Sequence, residues 1–137
     1  MNKEKVLRSF IDSIWNNKQI DRVEEFVAPE YSIHLDTGDP WEGKTLDYSE
    51  FKKRLDYSFN SFPDIHFEIT SAIEVIQHVA VTWNLTGTNL GEIQGFPPTG
   101  KKIKTKGMTI YHFSNNLISG HSQVFDQKTV IKQLGFA

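Results

Sequence analysis

An α+β fold, with helices first and a strongly bent, mostly antiparallel sheet after them, is what this sequence predicts. Three observations predict it. Apolar residues recur at helical spacing as far as Phe62, and from Ile65 onward they alternate with a period of two. The two kinds of segment follow one another instead of interleaving, which is the order of an α+β chain and not of β-α-β units. The third observation is Gly87–Gly100, GTNLGEIQGFPPTG, whose four glycines and Pro-Pro-Thr-Gly turn are too much punctuation for a plain hairpin. Glycine within a strand pattern marks a bulge, a sharp bend or a close approach to the backbone. The sheet is therefore expected to curl around an interior.

The elements follow in order. Val6, Leu7, Phe10, Ile11, Ile14 and Trp15 form one face of a first helix, which stops at Asn16-Asn17. Asp21-Arg22-Val23-Glu24 opens a short second helix that ends before Pro29. Tyr31–Leu35 reads as a strand, and Asp36–Pro40 as a polar turn. A third helix starts after Asp47, with Glu50 three residues on, carries Phe51, Leu55, Phe59 and Phe62 on one face, and is broken by Pro63. Ile65–Ile76 then alternates, with a slip near Thr70-Ser71 that suggests a bulge. His78–Asn89, Lys102–Phe113 and Leu117–Phe125 are further strands, the last two joined by a tight turn at Ser114-Asn115-Asn116. Gln127–Leu134 is a closing helix before Gly135. Helices that must each bury one face, placed before a curved sheet, suggest a cone with a pocket at its open end.

The bulk properties exclude several classes. At 137 residues the chain fits one domain, 1–137, large enough for a core without staples. A net charge of −2 argues against nucleic acid or an anionic membrane as partner. Without cysteine there is no disulfide framework and no thiolate metal site. The N-terminus MNKEKVLRSF carries no apolar signal region and no run approaches spanning length, so a cytoplasmic location is expected. The histidines show no ligand spacing, and no metal is expected.

Phe62-Pro63-Asp64, Val79-Ala80-Val81, Gly87-Thr88, the Gly91…Gly95-Phe96-Pro97-Pro98-Thr99-Gly100 turn, Gly107, Ile118, His121, Asp126 and Gln133-Leu134-Gly135 together resemble the SnoaL-like polyketide cyclases of the nuclear transport factor 2-like superfamily. The match runs in order along essentially the whole chain. It implies the α+β cone, a cofactor-free reaction, and a homodimer through the sheet. It also implies a general base at Asp126 for an intramolecular aldol closure. The family commonly has His after Gly-Thr and Trp after the last-strand His, where this chain has Asn89 and Ser122.

Each candidate has a second reading. Asp126 is either a desolvated base in the pocket or the N-cap of the closing helix. Asn89 is either a carbonyl-orienting donor or a turn residue. His34 is either a polar group at the pocket mouth or a hydrogen-bonded strand histidine. If Asp126 faces inward, strand alternation brings Ser122 and Val124 inward and turns His121 out. Lys102, Lys104 and Lys106 form a solvated face. A bulge at Gly107 would switch Met108 and Ile110 to the interior. Phe51, Leu55 and Phe59 on the third helix, with Trp83, complete the expected pocket wall, and Trp41 and Phe96 are expected at its mouth. The expected ligand is a small apolar or aromatic carbonyl compound, either turned over by a cyclase or isomerase or held by a non-catalytic binding protein.

Overall fold

The computed structural model describes residues 2–136. Asn2 caps the first helix, α1 (Lys3–Phe10), by accepting a bond from the Lys5 amide. The helix runs on as a wider turn, Ile11–Asn16, whose amides reach back five residues, as Asn17 does to Asp12 at 2.9 Å. A 3₁₀ turn (Ile20–Arg22) leads into the single-turn α2 (Val23–Phe26), and the strand β1 (Val27–Asp36) follows directly. Pro29 therefore lies within a strand that begins earlier than the sequence pattern suggests. β2 is the pair Thr45–Leu46. The helix α3 (Tyr48–Ser61) starts at the expected capping box, with Asp47 and Glu50 each bonded to the other's backbone.

The sheet strands β3 (His66–Val75), β4 (His78–Thr88), β5 (Lys102–Ser114) and β6 (Leu117–Phe125) come next, and α4 (Gln127–Leu134) closes the chain. The six strands form one curved open sheet in the order β2-β1-β6-β5-β4-β3. β1 runs parallel to β6, and every other pair is antiparallel. The register slips between Ile69 and Ser71, where the sequence suggests a bulge.

One face of the sheet is covered by the helices. Phe10 is the hinge of this core, packing against Phe26, Phe51 and Tyr111 with ring centroids 6.2 to 6.4 Å apart. Trp15 sits edge-on to Phe59 and Phe67. Leu55, expected in the pocket wall, is fully buried in this core instead, and Phe51, also buried, lines only a second small cavity of about 40 Å³ with Tyr31, Arg54 and His121. The core keeps them because α3 points the 51/55 stripe at α1 and β1.

β5 corrects a further expectation. Its pairing with β4 is continuous from His78↔His112 to Thr88↔Lys102, so Gly107 is not a bulge. A Cβ there would lie 2.6 Å from the Trp83 ring and 2.7 Å from Phe125, so glycine is needed for close packing. With no slip, Met108 and Ile110 stay on the outer face with Lys102, Lys104 and Lys106. Their partners in β6, Val124 and Ser122, face outward with them.

Candidate functional site

Inside the curve of the sheet lies a cavity of about 230 Å³. α3 contributes one stripe to it, Arg54, Tyr57, Ser58 and Ser61, the spacing of a single helical face. The sheet contributes the inward residues Phe67, Trp83, Leu85, Ile103, Gln123 and Phe125, and α4 contributes Gln127 and Val130. Most of the wall is apolar. The polar groups converge at one end, where β1 finishes and the 37–40 turn begins.

That end is organised by Arg54. A guanidinium on the buried side of a helix needs carboxylate partners, because desolvating an unpaired charge is prohibitive. Asp36 supplies one, with Oδ2 3.0 Å from the Arg54 Nη2, and Asp39 supplies the other, at 2.9 Å. Burial opposes the Arg54 charge, but the two carboxylates outweigh it and hold the group above its usual range. Asp36 also accepts both from Gln123 Nε2 and from His121 Nε2, the latter at 2.8 Å. The Asp36 carboxylate can only accept, so His121 carries its proton on Nε2. Its Nδ1 is then an acceptor, and the Tyr31 hydroxyl donates to it at 2.6 Å. Burial pushes Tyr31 well up, which keeps that donor protonated. Burial and the neighbouring Arg54 pull His121 below its ordinary value, although Asp36 opposes them. The relay Tyr31–His121–Asp36–Arg54–Asp39 is thus fully bonded with the imidazole neutral. It reaches further through Gln123 and Thr109 to the Trp83 ring N–H.

One atom of this end is less committed. Asp39 Oδ1 accepts a single bond, from the Trp41 amide at 2.8 Å, which leaves a lone pair. The Tyr57 hydroxyl is buried and has no hydrogen-bond partner among the described residues. A buried hydroxyl without a partner costs free energy unless something else supplies one.

The residues singled out from sequence are placed as follows. Trp83 lines the cavity. Asp126 is exposed and caps α4: its carboxylate accepts from the Thr129 hydroxyl at 2.6 Å and amide at 3.1 Å. Those two bonds, the hydroxyl first, hold its carboxyl below the usual range. Its neighbours Phe125 and Gln127 line the cavity, and Asp126 does not. Asn89 is fully buried and turned into its own loop, donating to the Gly91 carbonyl and accepting from Thr99. His34 lies on the outer sheet face, its ring 4.6 Å from that of His112. Trp41 packs behind Tyr57, Phe59 packs on Trp15, and Phe96 is half exposed against Phe136.

Asp36, Asp39, Arg54, Tyr57, His121 and Gln123 were not reached from sequence. One signal pointed to them: Arg54 falls on the apolar face marked by Phe51 and Leu55, where a charge requires buried partners. The alternation in β6 was anchored on Asp126 facing inward. Because the side-chain period is two, an inward Asp126 turns His121 outward; the structure has His121 inward, with Gln123 and Phe125 on the same face.

The SnoaL-like polyketide cyclase family model matches residues 5–134. A crystal structure of a protein from Acidithiobacillus ferrooxidans, provisionally assigned as a polyketide cyclase, is 37% identical and superposes with a TM-score of 0.89 over 96% of this chain and 93% of that one. A SnoaL-like polyketide cyclase from Agrobacterium tumefaciens is 20% identical, with a TM-score of 0.78 over 98% and 99% of the two chains. IdmH from Streptomyces antibioticus, also provisionally assigned as a polyketide cyclase, is 22% identical, with a TM-score of 0.79 over 98% and 99%. No curated protein matches the chain.

Proposed function

The chain belongs to the SnoaL-like polyketide cyclase family, with the nuclear transport factor 2-like fold, and from that premise we propose cofactor-free proton transfer on a polyketide-like carbonyl substrate in this cavity. The observation that carries the proposal is the Asp39 carboxylate at the polar end of the cavity, whose Oδ1 keeps a free lone pair. A substrate carbonyl held in the cavity would bring its α-carbon beside Asp39. Asp39 Oδ1 would take a proton from the carbon beside that carbonyl, and the C–H electron pair would move onto the oxygen as an enolate. In a cyclase the enolate carbon bonds to a second carbonyl carbon of the same molecule, and the resulting alkoxide takes the proton back from Asp39. In an isomerase the proton returns to a different carbon. Arg54 acts through Asp39, fixing the carboxylate in place, and Asp36 with His121 fixes Arg54.

The test is hydrogen–deuterium exchange at the α-carbon of an aryl ketone, followed by NMR with catalytic protein. Asp39→Asn should slow exchange by about a hundredfold. Asp126→Asn should leave it unchanged, since that side chain serves α4. Exchange that survives Asp39→Asn and is lost in Asp126→Asn would overturn the assignment.

A non-catalytic binding protein is the second reading. The heavy donation to Asp36, whose Oδ2 accepts from Arg54, His121 and Gln123, favours it, because an oxygen so occupied has no lone pair left to offer a substrate proton. Saturable ligand binding with no exchange by the wild-type protein would establish that reading.

A further inference from the structure

We infer that the segment from Asn89 to Lys101 and the helix α4 together form a docking surface for an anionic phospholipid membrane, on the outer side of one wall of the cavity. Docking of this kind does not depend on which reaction the cavity carries. Charge, apolar exposure and position each support it.

The net charge of −2 is unevenly distributed. Up to Thr88 the chain has nine Lys and Arg against fifteen Asp and Glu, and from Asn89 onward it has six lysines against two acids, Glu92 and Asp126. Asp126 is committed to the α4 cap, with Lys106 and Lys128 acting on its charge, so Glu92 is the one acid left to oppose the cluster. Lys101, Lys128 and Lys132 are exposed, as are Lys102, Lys104 and Lys106 at the start of β5. None of the six forms an ion pair among the described residues. The fold draws them together. Gln133 of α4 bonds both the amide and the carbonyl of Lys104, and a Cβ added at Gly135 would lie 2.6 Å from the Lys101 Nζ. Fields between exposed charges fall off over a Debye length of about 8 Å, so an approaching anionic surface meets this local cluster and not the sum over the chain.

Apolar groups stand among these lysines. Leu90, Phe96, Ile131 and Phe136 are 43% to 58% exposed. Phe96 and Phe136 touch each other, with ring centroids 5.2 Å apart, and the Phe136 amide donates to the Ile131 carbonyl at 3.1 Å. The loop tip, the flank of α4 and the chain beyond it therefore present one apolar surface. Pro97 and Pro98, with their fixed φ, stiffen the tip that carries Phe96. A bilayer interface takes up this combination: lysines meet the lipid phosphates, and aromatic and aliphatic side chains sink to the headgroup level. A bilayer also needs no shape-matched recess, which suits apolar side chains supplied singly by three different segments.

Position ties the surface to the cavity. Ile93 and Gln94 of the loop, and Gln127 and Val130 of α4, line the cavity. The same two elements thus carry the cavity wall and the basic, apolar surface. Most of the cavity wall is apolar, so the molecules it suits are ones that partition into bilayers. Docking by this surface leaves only the loop and α4 between the membrane and the cavity.

The test is cosedimentation of the intact protein with vesicles of phosphatidylcholine, alone or with about 30% phosphatidylglycerol, in about 50 mM and about 500 mM NaCl. In low salt, partition onto the anionic vesicles should be at least about tenfold stronger than onto phosphatidylcholine alone, and high salt should abolish the difference. A lysine near an anionic surface contributes roughly fivefold, so the pair Lys128→Gln and Lys132→Gln should weaken partition about twentyfold. Phe96→Ser should weaken it about tenfold. The control pair Lys5→Gln and Lys53→Gln removes the same charge from α1 and α3 and should leave partition unchanged. All five side chains are exposed, so the variants keep the fold. Equal partition onto the two kinds of vesicle, partition onto neither, or a control pair as damaging as the α4 pair would overturn the inference. Capture by soluble poly-glutamate without partition onto vesicles would also overturn it, and would assign the surface to an acidic protein instead.

Discussion

His121 is a base held where its charged form is disfavoured. Burial and the adjacent Arg54 lower its proton affinity more than Asp36 raises it. Between its depressed folded-state value and the ordinary value of about 6.5, the unfolded chain binds more protons than the folded one. Stability therefore rises with pH across that window and is lost as pH falls below about 6.5. His112, lowered first by burial and then by His34 and His78, adds to the same slope. We predict that the urea midpoint drops from pH 7 to pH 5, and that His121→Asn flattens this dependence although it lowers stability at pH 7 by about 1–3 kcal/mol, the cost of stranding the Tyr31 hydroxyl. A variant with an undiminished pH slope would show that His121 titrates normally. Asp36→Ala removes a partner from both His121 and a buried Arg54, and should cost more, about 3–5 kcal/mol in the same experiment.

At the scale of elements, the segment from Asn89 to Lys101 shows how a loop without regular structure is kept in one shape. Asn89 closes its base: the backbone pairs with Lys101 and Gly100, and the side chain spans Gly91 and Thr99. Gly91 lies so close to α3 that an added Cβ would sit 1.9 Å from the Asn60 carbonyl oxygen. Asn89→Ala should therefore cost about 1–3 kcal/mol and expose the Thr99 amide, read as faster hydrogen exchange at that position. Protection unchanged at Thr99 would mean the loop holds without its asparagine. The place of this loop was legible in the sequence because glycine and proline punctuate strands strongly. Its role was not, since a buried asparagine and a turn asparagine look alike in one dimension. The same ambiguity governs Gly107, where a bulge and a close ring contact leave the same letter. The strands themselves were legible from alternation, but alternation fixes two faces without saying which is inner. Arg54 could have settled it: a charge on a buried helical stripe demands inward carboxylates, and these sit at the end of β1 and in the turn after it.

For the molecule as a whole, the two faces of the sheet have different fates. The helices bury one. On the other, the register aligns Ile73, Ala80, Ile110, Ser122 and Leu35 across five strands, with Thr82, Met108 and Val124 in the adjoining row. Ile73, Met108, Val124, Ile110 and Leu35 are 43% to 65% exposed, an unusual density of bare apolar groups on a sheet. The same face of β5 changes character at Gly107, with Lys102, Lys104 and Lys106 charged on one side and Met108 and Ile110 apolar on the other. β5 is paired on both sides, so these lysines guard no edge; as charges on the sheet face they confine face-to-face association to the apolar half. A second copy of this chain laying the same patch against it would form a two-fold contact, and we expect a homodimer in solution. Light scattering should give twice the chain mass at micromolar concentration. Ile110→Lys, which places a charge at the centre of the patch, should give the monomer mass. Because Ile110 faces away from the cavity, this variant should keep the α-carbon exchange. A wild-type chain that is monomeric at every concentration would leave the patch without a partner of its own kind, and a dimer insensitive to Ile110→Lys would place the contact elsewhere.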